Sequence, residues 1–284
     1  MTDETIAPAP FGARLHAAML ARGPLCAGID PHPTLLAAWG LPDTVEGLTR
    51  FALTAAEALA PGVAVVKPQS AFFERFGSRG IGVLEQVLQV CREAGALVLL
   101  DVKRGDIGST AQAYADAYLD PRSPLAADAI TASPFLGFGS LTPLLRTADT
   151  HGAGVFVLAL TSNPEGPQVQ HARLDGGATV AGTVLAELAA ANAGADPMGS
   201  FGAVVGATIG RTGEDLAING PLLVPGIGAQ GGTAADLRRI FGDALGQVLP
   251  SSSREILAAG PDRTALADAA ARTASALAGV LEDR

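Results

Sequence analysis

Short apolar runs alternate with Ala- and Leu-rich stretches of helical period along most of the chain. Eight runs read as strands: 25–31 (LCAGIDP), 63–68 (VAVVKP), 97–103 (LVLLDVK), 129–134 (AITASP), 154–161 (GVFVLALT), 202–208 (GAVVGAT), 222–228 (LLVPGIG) and 246–252 (GQVLPSS). Each is apolar nearly throughout, as befits parallel strands covered by helices. The intervening pattern predicts helices over 48–60, 81–94, 110–119 and 178–191, and another over 234–241 after the Gly231-Gly232 break. Strand–helix alternation builds βαβ units and a parallel sheet. Eight such units predict an α/β fold of the closed (β/α)8 TIM-barrel type, with residues 1–284 as a single domain. No GxGxxG run follows the first strand, which argues against an open dinucleotide-binding sheet.

Polar residues interrupt these strands at one end. Asp30 closes the first, Lys67 the second, and Asp101 and Lys103 the third; Asp106 follows within three residues. Strand C-termini line one mouth of a barrel, where polar residues read as catalytic. Asp101 and Lys103 share the parity of Leu97 and Leu99, so one stripe runs from apolar interior to charged rim. Burying such charges singly is costly, so mutual pairing is expected. An ammonium flanked by carboxylates stays protonated, which suits a proton donor better than a Schiff-base nucleophile. The plain alternative is a structural salt bridge at the rim.

The turn RGDIGST follows, and Thr110 opens the helix AQAYADAYL. Residues 163–177 are polar and aperiodic, and read as a long loop on the active-site face. The Gly-rich stretch PGIGAQGG (225–232) after the seventh strand suits an anion approached by backbone N–H groups. Arg254, just past the eighth strand, adds a guanidinium suited to phosphate.

Charge and composition narrow the partners. A net charge of −9 disfavours nucleic acid and anionic membranes, so an anionic small substrate needs a local cluster of donors. Aromatics are only 5% of residues, so Ala, Val, Leu and Ile must fill the core. Cys26 and Cys91 match no metal spacing and read as small buried apolar residues, in keeping with a reducing cytoplasm. The N-terminal segment is acidic and then amphipathic, without a signal-peptide pattern, and no apolar run has the length of a membrane span. A cytoplasmic location is the expectation. His16, His32, His151 and His171 lack ligand spacing, and only His32 falls near the mouth. Trp39 reads as packing, and Arg104 as a solvated or interface charge.

The run DVKRGDIGST resembles the Asp-x-Lys-x-x-Asp-Ile-x-x-Thr signature of the orotidine 5′-phosphate decarboxylases, and the likeness extends strand by strand. Several spacings and the VKPQSAFFE stretch are similar to the mycobacterial/actinobacterial-type branch. The resemblance implies conversion of orotidine 5′-phosphate to UMP and CO2, with no cofactor and no metal. It implies that Asp101 and Lys103 flank the reacting carbon beside Lys67, and that Asp30 binds the ribose. Asp106, Ile107 and Thr110 match residues given to the partner's site across a homodimer interface. Ser162 matches the serine that bonds the pyrimidine, Pro225 a base-contacting position, and Gln230 and Arg254 the phosphate grip. One departure is Ser253, where many relatives have glycine before the arginine. Rival readings are a Mg2+-dependent sugar-phosphate decarboxylase or aldolase barrel, and a catalytically silent nucleotide-binding barrel.

Overall fold

Each of the eight apolar runs becomes a parallel strand: β1 (Cys26–Ile29), β2 (Val65–Pro68), β3 (Leu97–Arg104), β4 (Ala129–Ala132), β5 (Gly154–Leu160), β6 (Phe201–Val205), β7 (Leu222–Pro225) and β8 (Val248–Ser252). The structure, a computed structural model, describes residues 9–210, 212–226 and 234–282. Every strand pairs with its sequence neighbours, and β8 closes on β1 through Cys26 opposite Ser251 and Ala27 opposite Ser252. The chain is therefore a (β/α)8 barrel.

Every strand departs from its expected bounds at one end or both, by one to three residues. Pairing in β7 ends at Pro225 rather than at 228, and β8 starts at Val248 because Gly242–Gln247 forms a 3-10 helix. The expected helices form over Val45–Leu59, Gly77–Glu93, Gly108–Leu119, Val180–Ala191 and Ala234–Phe241. Two start at threonine caps: Thr44 Oγ1 accepts from Gly47 N, and Thr179 Oγ1 from Gly182 N. Helices over Thr142–His151 and Arg263–Glu282 complete the outer ring without having been expected. The second is rich in alanine, so its buried and exposed faces contrast weakly in hydropathy. The polar segment after β5 is not featureless either. It holds a short helix, Pro167–Gln170, and an antiparallel bridge between Arg173 and Thr179.

Alternation along the strands splits the core in two. Each strand contributes a buried residue to the interior layer: Cys26, Val65, Leu99, Ala129, Phe156, Val204, Leu223 and Leu249. Their sequence neighbours, such as Ala27, Val66, Leu100 and Ile130, face outward against the helices. The N-terminal helix Phe11–Arg22 closes the barrel floor. Phe11 and Leu15 join the interior cluster, and Phe11 meets Phe156 edge-on at 5.9 Å. Gly154 is required here, since a Cβ at that position would come within 2.4 Å of the Phe11 ring. With the floor plugged by apolar side chains, inward positions turn polar only towards the opposite mouth. Cys26 leads to Asp30, Val65 to Lys67, Leu99 to Asp101, Ala129 to Thr131 and Leu249 to Ser251.

Candidate active site

A cleft of about 450 Å³ opens at that mouth, lined in part by Asp30, Lys67, Lys103, Pro225, Ser253 and Arg254. At its base Asp101, only 6% exposed, accepts four hydrogen bonds. Oδ2 takes Lys67 Nζ at 2.9 Å and Gln69 Nε2 at 2.9 Å. Oδ1 takes Lys103 Nζ at 2.6 Å and Thr131 Oγ1 at 2.8 Å. Four donors occupy the lone-pair sites of an ionised carboxylate, so the group is fixed in direction and in charge.

Burial and pairing oppose one another at these groups. Burial alone would raise the Asp101 pKa, but the adjacent Lys67 and Lys103 ammoniums hold it far below the ordinary carboxylate value. Burial likewise disfavours the ammonium of Lys67, yet Asp101 and Asp30 outweigh it and raise its pKa above the usual lysine value. Beneath them the buried thiol of Cys26 is pushed up to about 12 by desolvation, so it stays neutral. Lys67 is 6% exposed, whereas the Lys103 side chain is 47% exposed and open to the cleft. One lysine therefore anchors the carboxylate, and the other presents its ammonium to a ligand.

The backbone at Lys103 is unusual. Its φ is +46°, a left-handed conformation worth about 1–2 kcal/mol of strain for a residue with a Cβ. The ladder between β3 and β4 breaks there: Leu100 pairs with Ile130, and the next pairing is Arg104 with Ala132. This bulge turns Lys103 over the mouth.

Across the cleft, Asp30 Oδ1, Ser252 Oγ and Ser253 Oγ are buried without a hydrogen-bond partner among the described residues. Unpaired buried polar atoms are costly, so a row of them suits a polar ligand. Gly28 keeps the space beneath them, because a Cβ there would come within 2.7 Å of Ser253 Cβ. His32 also lines the cleft, with its ring 4.2 Å from that of Phe72. Arg254 is exposed at the rim.

Other expected site residues lie elsewhere. Asp106, Ile107 and Thr110 do not line the cleft. Asp106 Oδ1 accepts from Ile107 N at 2.8 Å, and Ile107, 62% exposed, precedes the helix Gly108–Leu119. Ser162 faces a second cleft between the loops after β5 and β6. Gln230 lies outside the described residues. Arg104 is not a solvated charge: its guanidinium pairs with Glu74 at 2.6 Å and lies over the rings of Tyr114 and Tyr118. Trp39 packs as expected, 4.0 Å from Phe51, with its indole N–H donating to Leu257 O. Both cysteines are buried and free.

Gln69 and Thr131 belong to the Asp101 cluster and escaped the sequence reading. Each shares the inward parity of a residue already placed, Gln69 with Lys67 and Thr131 with Ala129. Following uncharged polar residues along those stripes would have found them. Among the described residues no group of three or more His, Cys, Asp or Glu side chains is arranged to hold a metal. No described helix is long and apolar enough to cross a membrane.

The profile of the orotidine 5′-phosphate decarboxylase / HUMPS family matches residues 23–269. An orotidine 5′-phosphate decarboxylase from a Nocardioides species is 72% identical over 251 residues, spanning 87% of this chain and 92% of its own. The enzyme of the same name from Salinispora arenicola is 67% identical over 263 residues, 92% of this chain and 95% of its own. A crystal structure from Streptomyces avermitilis superposes with a TM-score of 0.96 at 59% identity, covering 99% of both chains.

Proposed function

The chain belongs to the orotidine 5′-phosphate decarboxylase / HUMPS family, its activity is decarboxylation of orotidine 5′-phosphate to UMP, and from that premise we propose how its own residues carry the reaction. The observation that carries the reading is the ammonium of Lys103, held 2.6 Å from a buried carboxylate and open to the cleft. When the C6–carboxylate bond breaks, CO2 leaves and the electron pair stays on C6, in the plane of the ring. The ring π system cannot take up that pair, so its stabilisation is electrostatic. Lys103 meets the developing charge and then gives C6 a proton, which solvent replaces. Asp101 fixes the direction of the ammonium, and Lys67 keeps Asp101 ionised.

The substrate's remote parts fall to other residues. Asp30, whose buried Oδ1 has no partner among the described residues, takes ribose hydroxyls. Pro225 lies against the base, and Ser162, which faces the cleft between the loops after β5 and β6, is given to the pyrimidine on the family resemblance alone. Arg254, with Gln230, takes the phosphate. Binding energy from these groups orders the substrate for a reaction some distance away. Arg254→Ala should therefore raise the Kd for UMP by roughly 10- to 100-fold, the range for loss of a charge-assisted pair. Calorimetry checks this, and an unchanged Kd would remove Arg254 from the phosphate site.

A homodimer with shared sites completes the reading. Ile107 is 62% exposed, and Phe135 and Leu136, in the loop after β4, are 76% and 54% exposed. Large apolar side chains left in water beside a mouth favour cover by another chain. Asp106, Ile107 and Thr110 then serve the partner's cleft rather than their own. A cytoplasmic location fits a biosynthetic activity of this kind.

Purified protein should deplete the orotate absorbance of orotidine 5′-phosphate, with the same rate in the presence of EDTA. Sensitivity to EDTA would favour a metal-dependent barrel. Binding of UMP without CO2 release would favour a silent nucleotide-binding protein.

A further inference from the structure

We infer that Thr131 is a positioning residue for the reaction, because its hydroxyl ties the backbone of Lys103 to the carboxylate that aims the same lysine's ammonium. The inference deepens the proposed role of Lys103 and rests on it. Thr131 lies on β4, 1% exposed, with the inward parity of Ala129. It sits opposite the β3 bulge, where the ladder passes from Leu100–Ile130 to Arg104–Ala132 and skips the residues between. Lys103 N donates to Thr131 Oγ1 at 2.9 Å, and Thr131 Oγ1 donates to Asp101 Oδ1 at 2.8 Å.

A hydroxyl has one proton and two lone pairs. The backbone N–H of Lys103 needs an acceptor, and the ionised Asp101 needs a donor, so the orientation of the hydroxyl is determined by its neighbours. Its proton and one lone pair are both committed. The Lys103 backbone, at φ +46°, is thereby bonded to the hydroxyl that donates to Asp101 Oδ1, the oxygen that also receives Lys103 Nζ at 2.6 Å. A loop in a strained conformation persists only where its surroundings over-determine it. Here the strand partner has turned away, and a side-chain oxygen replaces the missing carbonyl acceptor. Thr131 does not line the cleft, so it acts on catalysis through Lys103 and Asp101.

Thr131→Val keeps the shape and removes both bonds. It should lower kcat by about 10- to 100-fold, the rate equivalent of losing hydrogen bonds to a charged group. The Kd for UMP should stay within about threefold, since ribose and phosphate contacts are untouched. Thr131→Ser, which keeps the hydroxyl, should restore kcat to within about threefold of wild type. The inference fails if the valine variant keeps wild-type kcat, if serine loses as much as valine, or if UMP affinity falls in step with kcat. Should the valine variant not fold, Thr131→Ala compared with Thr131→Ser reads the same outcomes. Lys103→Ala is assayed alongside. Normal turnover there would overturn the role of Lys103 itself, whereas an inactive Lys103→Ala beside a fully active Thr131→Val would remove only Thr131.

Discussion

Lys103→Ala is expected to lower kcat by about 10⁴-fold or more while leaving the fold intact. A positioned general acid contributes about 10²- to 10⁴-fold, and a preorganised charge facing a developing anion contributes about 10²- to 10³-fold more. Lys103 supplies both from one ammonium, so the two losses coincide in one substitution. Stability should change little, because the side chain is 47% exposed and Asp101 retains Lys67, Gln69 and Thr131. UMP affinity should also hold, since the phosphate and ribose contacts are remote from Nζ. The checks are single-turnover decarboxylation, a melting curve and calorimetry with UMP. A variant within tenfold of wild-type kcat would rule out the proton-donor role. The same variant tests the shared site. Mixed with Asp106→Ala, it should regain activity, because a mixed dimer holds one cleft with both native residues. No regain after subunit exchange would place Asp106 in its own chain's site.

The barrel was legible because parallel strands buried on both faces leave continuous apolar runs, and all eight runs survive as strands. Their ends were less so. Pairing in β7 stops at Pro225, a residue without an N–H, and the 3-10 turn before β8 depends on packing rather than period. Two-residue spacing correctly put Asp101 and Lys103 together, yet the parity argument assumed a regular strand. The bulge and the left-handed φ at Lys103 are set by tertiary surroundings and leave no mark in the pattern. Attention to charge alone hid Gln69 and Thr131. The solvated reading of Arg104 failed because its partner, Glu74, comes from the short helix Ala71–Glu74 after β2 and its aromatic cover from the helix Gly108–Leu119. Sequence spacing on one element cannot foresee a partner supplied by another.

Removing the buried lysine should produce the largest loss of stability in the site. Lys67→Met leaves Asp101 Oδ2 with only Gln69, in surroundings where Asp101 is 6% exposed. Breaking a buried pair by deleting one partner costs about 3–5 kcal/mol, and the surviving Lys103 contact puts the expectation near the lower end. The pH dependence carries a sign. The Asp101 pKa is depressed on folding, so its contribution is present above the unfolded carboxylate value of 3.8 and is lost as pH falls through the folded value. The Lys67 pKa is raised, so its contribution is complete below 10.5 and is lost as pH rises through the folded value. Wild-type stability from this pair is therefore flat from about pH 5 to about pH 9. In the methionine variant Asp101 is held less firmly as an anion, so acid should destabilise it less steeply than wild type. The gap between the two proteins should be widest on the neutral plateau and narrow below about pH 4. Urea denaturation at pH 3, 7 and 9 would measure it. A gap under about 1 kcal/mol at pH 7, or one that widens in acid, would mean that the Lys67–Asp101 pair does not govern the stability of the mouth.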